Sequence, residues 1–441
     1  MKTSRRIAAL ALGLIMALTM MLGMVTTASA EETITLRFWA HWASEQRRPT
    51  IEKIVNMFNE KYADQGIQVE YAAVNYDDIE NKLIASVTAG NPPSVVITAI
   101  EDVAVKAMRN QAANITEYLS EGISEKFYDK YWEMVQWNGD VYAIPFNTDT
   151  RLIYYNKAMF EKAGVSVDDI TSWETFQDAC VKLDEAMAGE EGYAMAFYPV
   201  FGNYGFDTMA INNGSTGIFD SLLDPQEVNL ASAENIETLE YMKWFADRYG
   251  QELVQATDAA SGGGTQDLFL SGKVAMFGHT CNYIATIETY NAEAQVDYGV
   301  FAMPAGPSSK TGEPASNGGG FVCTVPYGTE YPAESTLLAE FLATEGAAIW
   351  AEEQKDVMCA IEANENPAMS ASVGWDEVVA LLNNTYGSRN NIYAPKAAED
   401  KNDAVNKIVK TFESDDPAGV LEEAAQKIRN RIEEEKFIFG M

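Results

Sequence analysis

Asp149 and Arg151 are the residues of this chain best spaced for joint chemistry, two apart within the run from Gly139 to Lys157. In an extended strand that spacing puts both charges on one face, while Thr150 and Leu152 point the other way. A carboxylate accepts hydrogen bonds, so the pair suits a polar ligand; the alternative is a sheet crossing whose charges are merely solvated. Three earlier loops add candidates: His41, Trp42, Ser44 and Glu45 in the first, Tyr76 in the second, and Glu101 in the third. Together they mix flat rings with carboxylate, amide and imidazole partners, a mixture suited to ligands with apolar C–H faces and a rim of hydroxyls.

The elements that must position these residues follow from periodicity. Residues 33–39 alternate as a strand, residues 49–62 carry apolar positions at helical spacing, and residues 67–71 return to strand. A second helix over 77–89 ends near Gly90-Asn91-Pro92-Pro93, and residues 94–98 form a third strand. This β-α-β-α-β order predicts a mainly parallel sheet, with ligands bound at the carboxyl ends of the strands. Pro145, Phe146 and Asn147 lie between two β-rich runs and predict a strand, a stiffened break and a second strand, with the break as hinge. Further on, helices are expected over 158–163, over 173–183 with Thr171 as cap, over 233–249 and over 418–436. Asn317-Gly318-Gly319-Gly320 lets the backbone approach a ligand or another chain segment closely; a flexible turn is the other reading. Trp39 and Trp350 are expected in the core.

With 441 residues and 47% hydrophobic composition, the chain has material for more than one core, so two lobes are expected. The 65 acidic against 31 basic residues give a formal charge of −34, which argues against nucleic acid or an anionic membrane as partner. Residues 1–30 read as an export signal: Lys2, Arg5 and Arg6, an apolar run, then Ala28-Ser29-Ala30 with cleavage after Ala30. A retained membrane anchor is the alternative. No cysteine follows the apolar run, so no lipid-anchor cysteine is present and a periplasmic or extracellular location is expected. Cys180, Cys281, Cys323 and Cys359 are too dispersed for a metal cluster and are expected as buried free thiols.

The run from Gly139 to Gly164, G-D-V-Y-A-I-P-F-N-T-D-T-R-L-I-Y-Y-N-K-A-M-F-E-K-A-G, followed by T-S-W-E-T-F, resembles the signature of extracellular solute-binding proteins of the sugar ABC-importer type. Gly272-Lys273-Val274-Ala275-Met276, after an expected helix and before a strand, is similar to a second motif of that family. The resemblance covers most of the chain after residue 30. It implies a two-lobed α/β periplasmic-binding-protein fold, type II-like, each lobe a mainly parallel sheet flanked by helices. It places residues 31–147 plus about 321–350 in an N-terminal lobe and residues 148–320 plus about 351–441 in a C-terminal lobe.

The same resemblance implies that Asp149 faces a sugar, that Tyr204 stacks against it, and that His279 and Asn282 lie on a ligand loop. That loop commonly carries Trp in the family and lacks it here, which implies a different stacking surface. Gly319, Gly320 and Arg389 complete the implied contacts. The implied activity is capture of a carbohydrate by a monomer and its delivery to ABC permease subunits, without cofactor or metal. No metal helix, phosphate loop, nucleophile elbow or dinucleotide motif occurs. The alternatives are a secreted glycoside hydrolase, since paired carboxylates need no fixed spacing, and a surface adhesin or sensor sharing the fold. A polyamine or other small solute is the alternative ligand.

Overall fold

Alternation turns Leu36, Phe38 and Ala40 into the core along β1 (Ile34–Ala40). The computed structural model describes residues 33–201 and 204–438. The expected export signal and its cleavage after Ala30 lie outside the described residues. Helical spacing gives α1 (Arg48–Lys61), which buries Ile51, Ile54, Val55 and Phe58. β2 (Ile67–Ala73), α2 (Tyr76–Thr88) and β3 (Val95–Ala99) follow, and β1 pairs parallel with both β2 and β3. Asn75 caps α2, its side chain accepting from the Asp77 N–H at 2.9 Å.

β4 (Ala143–Thr148) passes through Asp149 and Thr150 into β5 (Arg151–Asn156), the central strand of a second sheet. α3 (Trp173–Ala186) begins where expected, but Ser172, not Thr171, is the cap, and it exchanges hydrogen bonds with Thr175. α4 (Ala233–Ala259) is kinked at Gly250. Before Gly272-Lys273 only a short 3-10 turn, Gly264–Gln266, stands where a helix was expected. β6 (Met276–Thr280) leads through α5 (Tyr283–Ala294) to β7 (Tyr298–Phe301), and both strands pair antiparallel with β5. The chain is a two-lobed α/β protein, but neither sheet is mainly parallel: the second is antiparallel throughout, and in the first only the pairings of β1 with β2 and β3 are parallel, the other three being antiparallel. An apolar run specifies burial and not direction, so strand sense was decided by how β5 enters between its partners.

β8 (Gly320–Thr324) returns to the first sheet, antiparallel to β3 and β4, and α6 (Pro332–Ala343) and α7 (Glu345–Gln354) follow. β9 (Val357–Met358) then pairs with β4, giving the order β9-β4-β8-β3-β1-β2. The first sheet thus keeps the returning chain beyond residue 350, because Trp350 and β9 close its core. The expected break at Pro145, Phe146 and Asn147 is corrected too: all three are buried inside β4. Pro145 is accommodated because the register against β8 shifts between Phe321 and Val322, and because β9 pairs only with Asn147 and Thr148. The change of direction falls at Asp149 and Thr150. α8 (Ala397–Val409) and α9 (Pro417–Ile438) pack on α4 in the second lobe. All four cysteines are free and buried.

Candidate functional site

Asp149 and Arg151 share a face, with Arg151 Nη1 3.4 Å from Asp149 Oδ1, while Thr150 and Leu152 are buried. The returning chain meets them there. The Gly319 N–H donates to Asp149 Oδ1 at 3.0 Å, and Arg151 Nη1 donates to the Asn317 carbonyl at 2.6 Å. Gly320 has φ +136°, and a Cβ on it would lie 2.1 Å from the Asn147 carbonyl oxygen. Only glycine fits, so the outgoing and returning crossings can lie against each other. Gly319 and Gly320 therefore act here through backbone.

The first-lobe wall carries Glu101, just past β3. Burial above all, with Asp102 and then Asp149 adding, pushes its carboxyl up to about 7, against the pull of Arg151. The His41 ring lies edge-on to Tyr76 at 5.0 Å and tilted against Phe321 at 4.6 Å. Burial, then Arg47, lowers His41 to about 4, and its Nδ1 has no hydrogen-bond partner. Tyr76 is 56% exposed and leaves a ring face open. Ser44 and Glu45 are exposed; Ser44 Oγ accepts from the Arg47 N–H at 3.2 Å and shapes the turn into α1. Trp42 is a correction. Its ring is 2% exposed, 4.1 Å from Trp350 and 5.2 Å from Phe146, so it belongs to the core beneath the site.

On the second-lobe wall, the His279 ring stacks on Tyr283 at 4.5 Å, and its Nδ1 lies 3.0 Å from Thr280 Oγ1. Burial first, with Arg151 and Arg47 adding, lowers it to about 3. Asn282 Oδ1 accepts from Thr280 Oγ1 at 2.6 Å. Tyr204, expected as a stacking ring, is 2% exposed and fills the space left by Gly278, whose Cβ would lie 2.5 Å from Tyr204 Cβ. Its ring is committed to the protein rather than open to solvent. Arg389 is likewise corrected: Nη1 donates to the Leu223 carbonyl at 3.1 Å, Nη2 to that of Glu133, and its own N–H to that of Leu222 at 2.7 Å. It braces two chain segments through their backbone carbonyls, at the edge of a 140 Å³ cavity shared with Glu101 and Asn317.

The family described as bacterial extracellular solute-binding protein matches residues 42–349. The chain belongs to that family. The maltodextrin-binding protein MdxE of Bacillus subtilis (strain 168) is 24% identical over 357 residues, 77% of this chain and 70% of that one. The sn-glycerol-3-phosphate-binding periplasmic protein UgpB of Escherichia coli O6:K15:H31 (strain 536 / UPEC) is 25% identical over 307 residues, 66% of this chain and 65% of that one. In three dimensions the chain resembles CpMnBP1 with mannotriose bound, with a TM-score of 0.76 at 20% identity, covering 90% of this chain and 100% of that one. That last likeness is one of fold.

In this solute-binding protein the Arg151 charge is felt by Glu101 on one wall and by Tyr204 and His279 on the other. Three residues at the site escaped the sequence reading. Phe321 follows the glycine run that drew attention, and strand alternation alone puts its ring beside His41. Arg47 acts on His41 and Asp356 of the first lobe and on His279 of the second. Asp356 is buried behind β4, where its Oδ2 accepts from Asn147 Nδ2 at 2.7 Å and Trp350 Nε1 at 3.0 Å. Burial raises its carboxyl to about 6. Nothing in the sequence marks it. Among the described residues no cluster of three or more His, Cys, Asp or Glu side chains could hold a metal ion, and no helix is long and apolar enough to cross a membrane.

Proposed function

We propose that this solute-binding protein captures a carbohydrate between its lobes and delivers it unaltered to an ABC importer. The observation that carries this reading is the junction of Asp149, Arg151 and Gly319, where both crossings meet between two walls bearing rings and acceptors. Tyr76, Phe321 and His41 offer apolar faces for sugar C–H groups, and Glu101 and Asp149 accept from hydroxyls. The ligands named for relatives and for the likeness in fold, maltodextrin, sn-glycerol-3-phosphate and mannotriose, are all polyhydroxylated.

In this reading the first lobe comprises residues 31–147 and 321 to about 358, and the remainder forms the second. The lobes pivot at Asp149–Thr150 and the glycine run, and closure changes the outer surface that permease subunits distinguish. The protein is exported, with cleavage after Ala30, and works as a monomer. Its role is binding rather than catalysis.

A thermal-shift screen of neutral mono- and oligosaccharides tests the proposal, because a ligand at 100 times its Kd stabilises by about 2.7 kcal/mol. Saturable binding that returns the sugar intact is expected; no response to any carbohydrate would overturn it. The raised Glu101 carboxyl is also what a general acid needs, so cleavage of bound oligosaccharide would favour a glycoside hydrolase. Failure to stimulate uptake through any membrane permease would favour an adhesin or sensor.

A further inference from the structure

The 140 Å³ cavity lies where Glu101 of the first lobe faces Asp207 and Lys401 of the second, beside the crossing at Asn317. It adjoins the Asp149–Arg151 junction, because Asn317 lends its carbonyl to Arg151 and Glu101 lies in the field of both charges. Arg389 and Asn390 form a further wall, and there the lobes are tied together. Arg389 holds the Leu222 and Leu223 carbonyls of one side to the Glu133 carbonyl of the other, and Asn390 donates its N–H to the Glu101 carbonyl at 2.9 Å. A sugar chain cannot run on through these contacts, so it enters the cavity only by an end.

The lining has hydrogen-bonding capacity to spare. Lys401 is 3% exposed, and among the described residues Asp207 is the one acceptor for an ammonium that carries three donors. Arg389 Nε is buried without a partner, and no side chain donates to the Glu101 carboxyl. Donors lacking acceptors thus share one cavity with an acceptor lacking a donor, an arrangement that is costly until a guest supplies both. A hydroxyl does so, since it donates once and accepts twice. Two acidic and two basic side chains line the space, which suits a neutral guest. At 140 Å³ it is under half of the roughly 300 Å³ at which pockets for drug-sized ligands begin, the scale of a single sugar ring.

Resting on the carbohydrate reading above, we propose that this cavity receives one terminal residue of a linear neutral sugar, held between Lys401 and Glu101 across the lobes, so that the protein selects ligands with a free chain end. The test is calorimetry on the full chain with maltotriose, mannotriose, cellotriose and xylotriose, and with each blocked by a methyl glycoside at the reducing end or a methyl ether on the 4-hydroxyl of the other. For the trisaccharide that binds tightest, blocking one end should weaken binding about tenfold or more and blocking the other should not. Ala398→Leu fills the cavity from the first turn of α8 with a good helix former. It should weaken the same trisaccharide by about as much while leaving the unliganded Tm unchanged. Affinity indifferent to both blocks would overturn the inference, using wild type alone, and leave the carbohydrate reading standing. Unchanged affinity in a well-folded Ala398→Leu protein would overturn it too, by showing that the cavity holds only water. Binding of none of the four trisaccharides would also overturn it, and a response to other carbohydrates in the thermal-shift screen would then keep the broader reading.

Discussion

The Gly319 N–H donates to Asp149 Oδ1 across 3.0 Å, fastening the strand that leaves the first lobe to the one that returns. Asp149→Ala removes that acceptor and leaves Arg151 without its carboxylate. Ligand affinity should fall by about 1–3 kcal/mol. Asp149→Asn, which keeps an acceptor oxygen, should recover part of the loss in calorimetry; equal affinities in all three proteins would exclude Asp149 from the site.

Gly320 sits at φ +136° with the Asn147 carbonyl oxygen 2.1 Å from where a Cβ would be. Gly320→Ala must push the two crossings apart or strain the backbone, costing about 1–3 kcal/mol or more. Urea unfolding should show a lower midpoint. An unchanged midpoint would mean that the close approach is not kept in solution.

Glu101 has its carboxyl raised from the ordinary 4.5 to about 7. The folded protein therefore holds a proton that the unfolded chain has released between these values, so wild type loses stability as pH rises through that window. Glu101→Gln carries no such ionisation. The variant's Tm relative to wild type should climb from pH 4.5 to pH 7 and level off above. Asp356 titrates alike in both proteins and cancels from the comparison. A flat difference would show that Glu101 is not buried.

Arg389 spans the Glu133 carbonyl of the first lobe and the Leu223 carbonyl of the loop facing it. Asn390 supports the same contact, its N–H donating to the Glu101 carbonyl at 2.9 Å and its side chain to Asp102 at 2.7 Å. Arg389→Ala should loosen closure, seen in solution scattering as a larger radius of gyration without ligand that contracts when a saturating sugar is added. Identical scattering curves would make the brace dispensable.

The sequence by itself determined what depends on near neighbours. Periodicity 2 and 3.6 placed β1, α1, β2, α2 and β3, because each period is set by the residue's own backbone geometry. The spacing singled out Asp149 and Arg151 as a pair, though they meet across the junction between β4 and β5 rather than within one strand, and the family runs around them were readable as written. Tertiary structure decided everything that depends on a distant partner. Pro145 stays inside a strand because β8 shifts register and β9 stops short. β5 is antiparallel to both neighbours because strand sense is settled at pairing. Trp42 is core because Trp350, more than 300 positions away, covers its ring, and Tyr204 is buried where it fills the space left by Gly278. Whether a ring or a charge faces a ligand depends on what else competes to bury or pair with it, and those competitors are brought together only by folding.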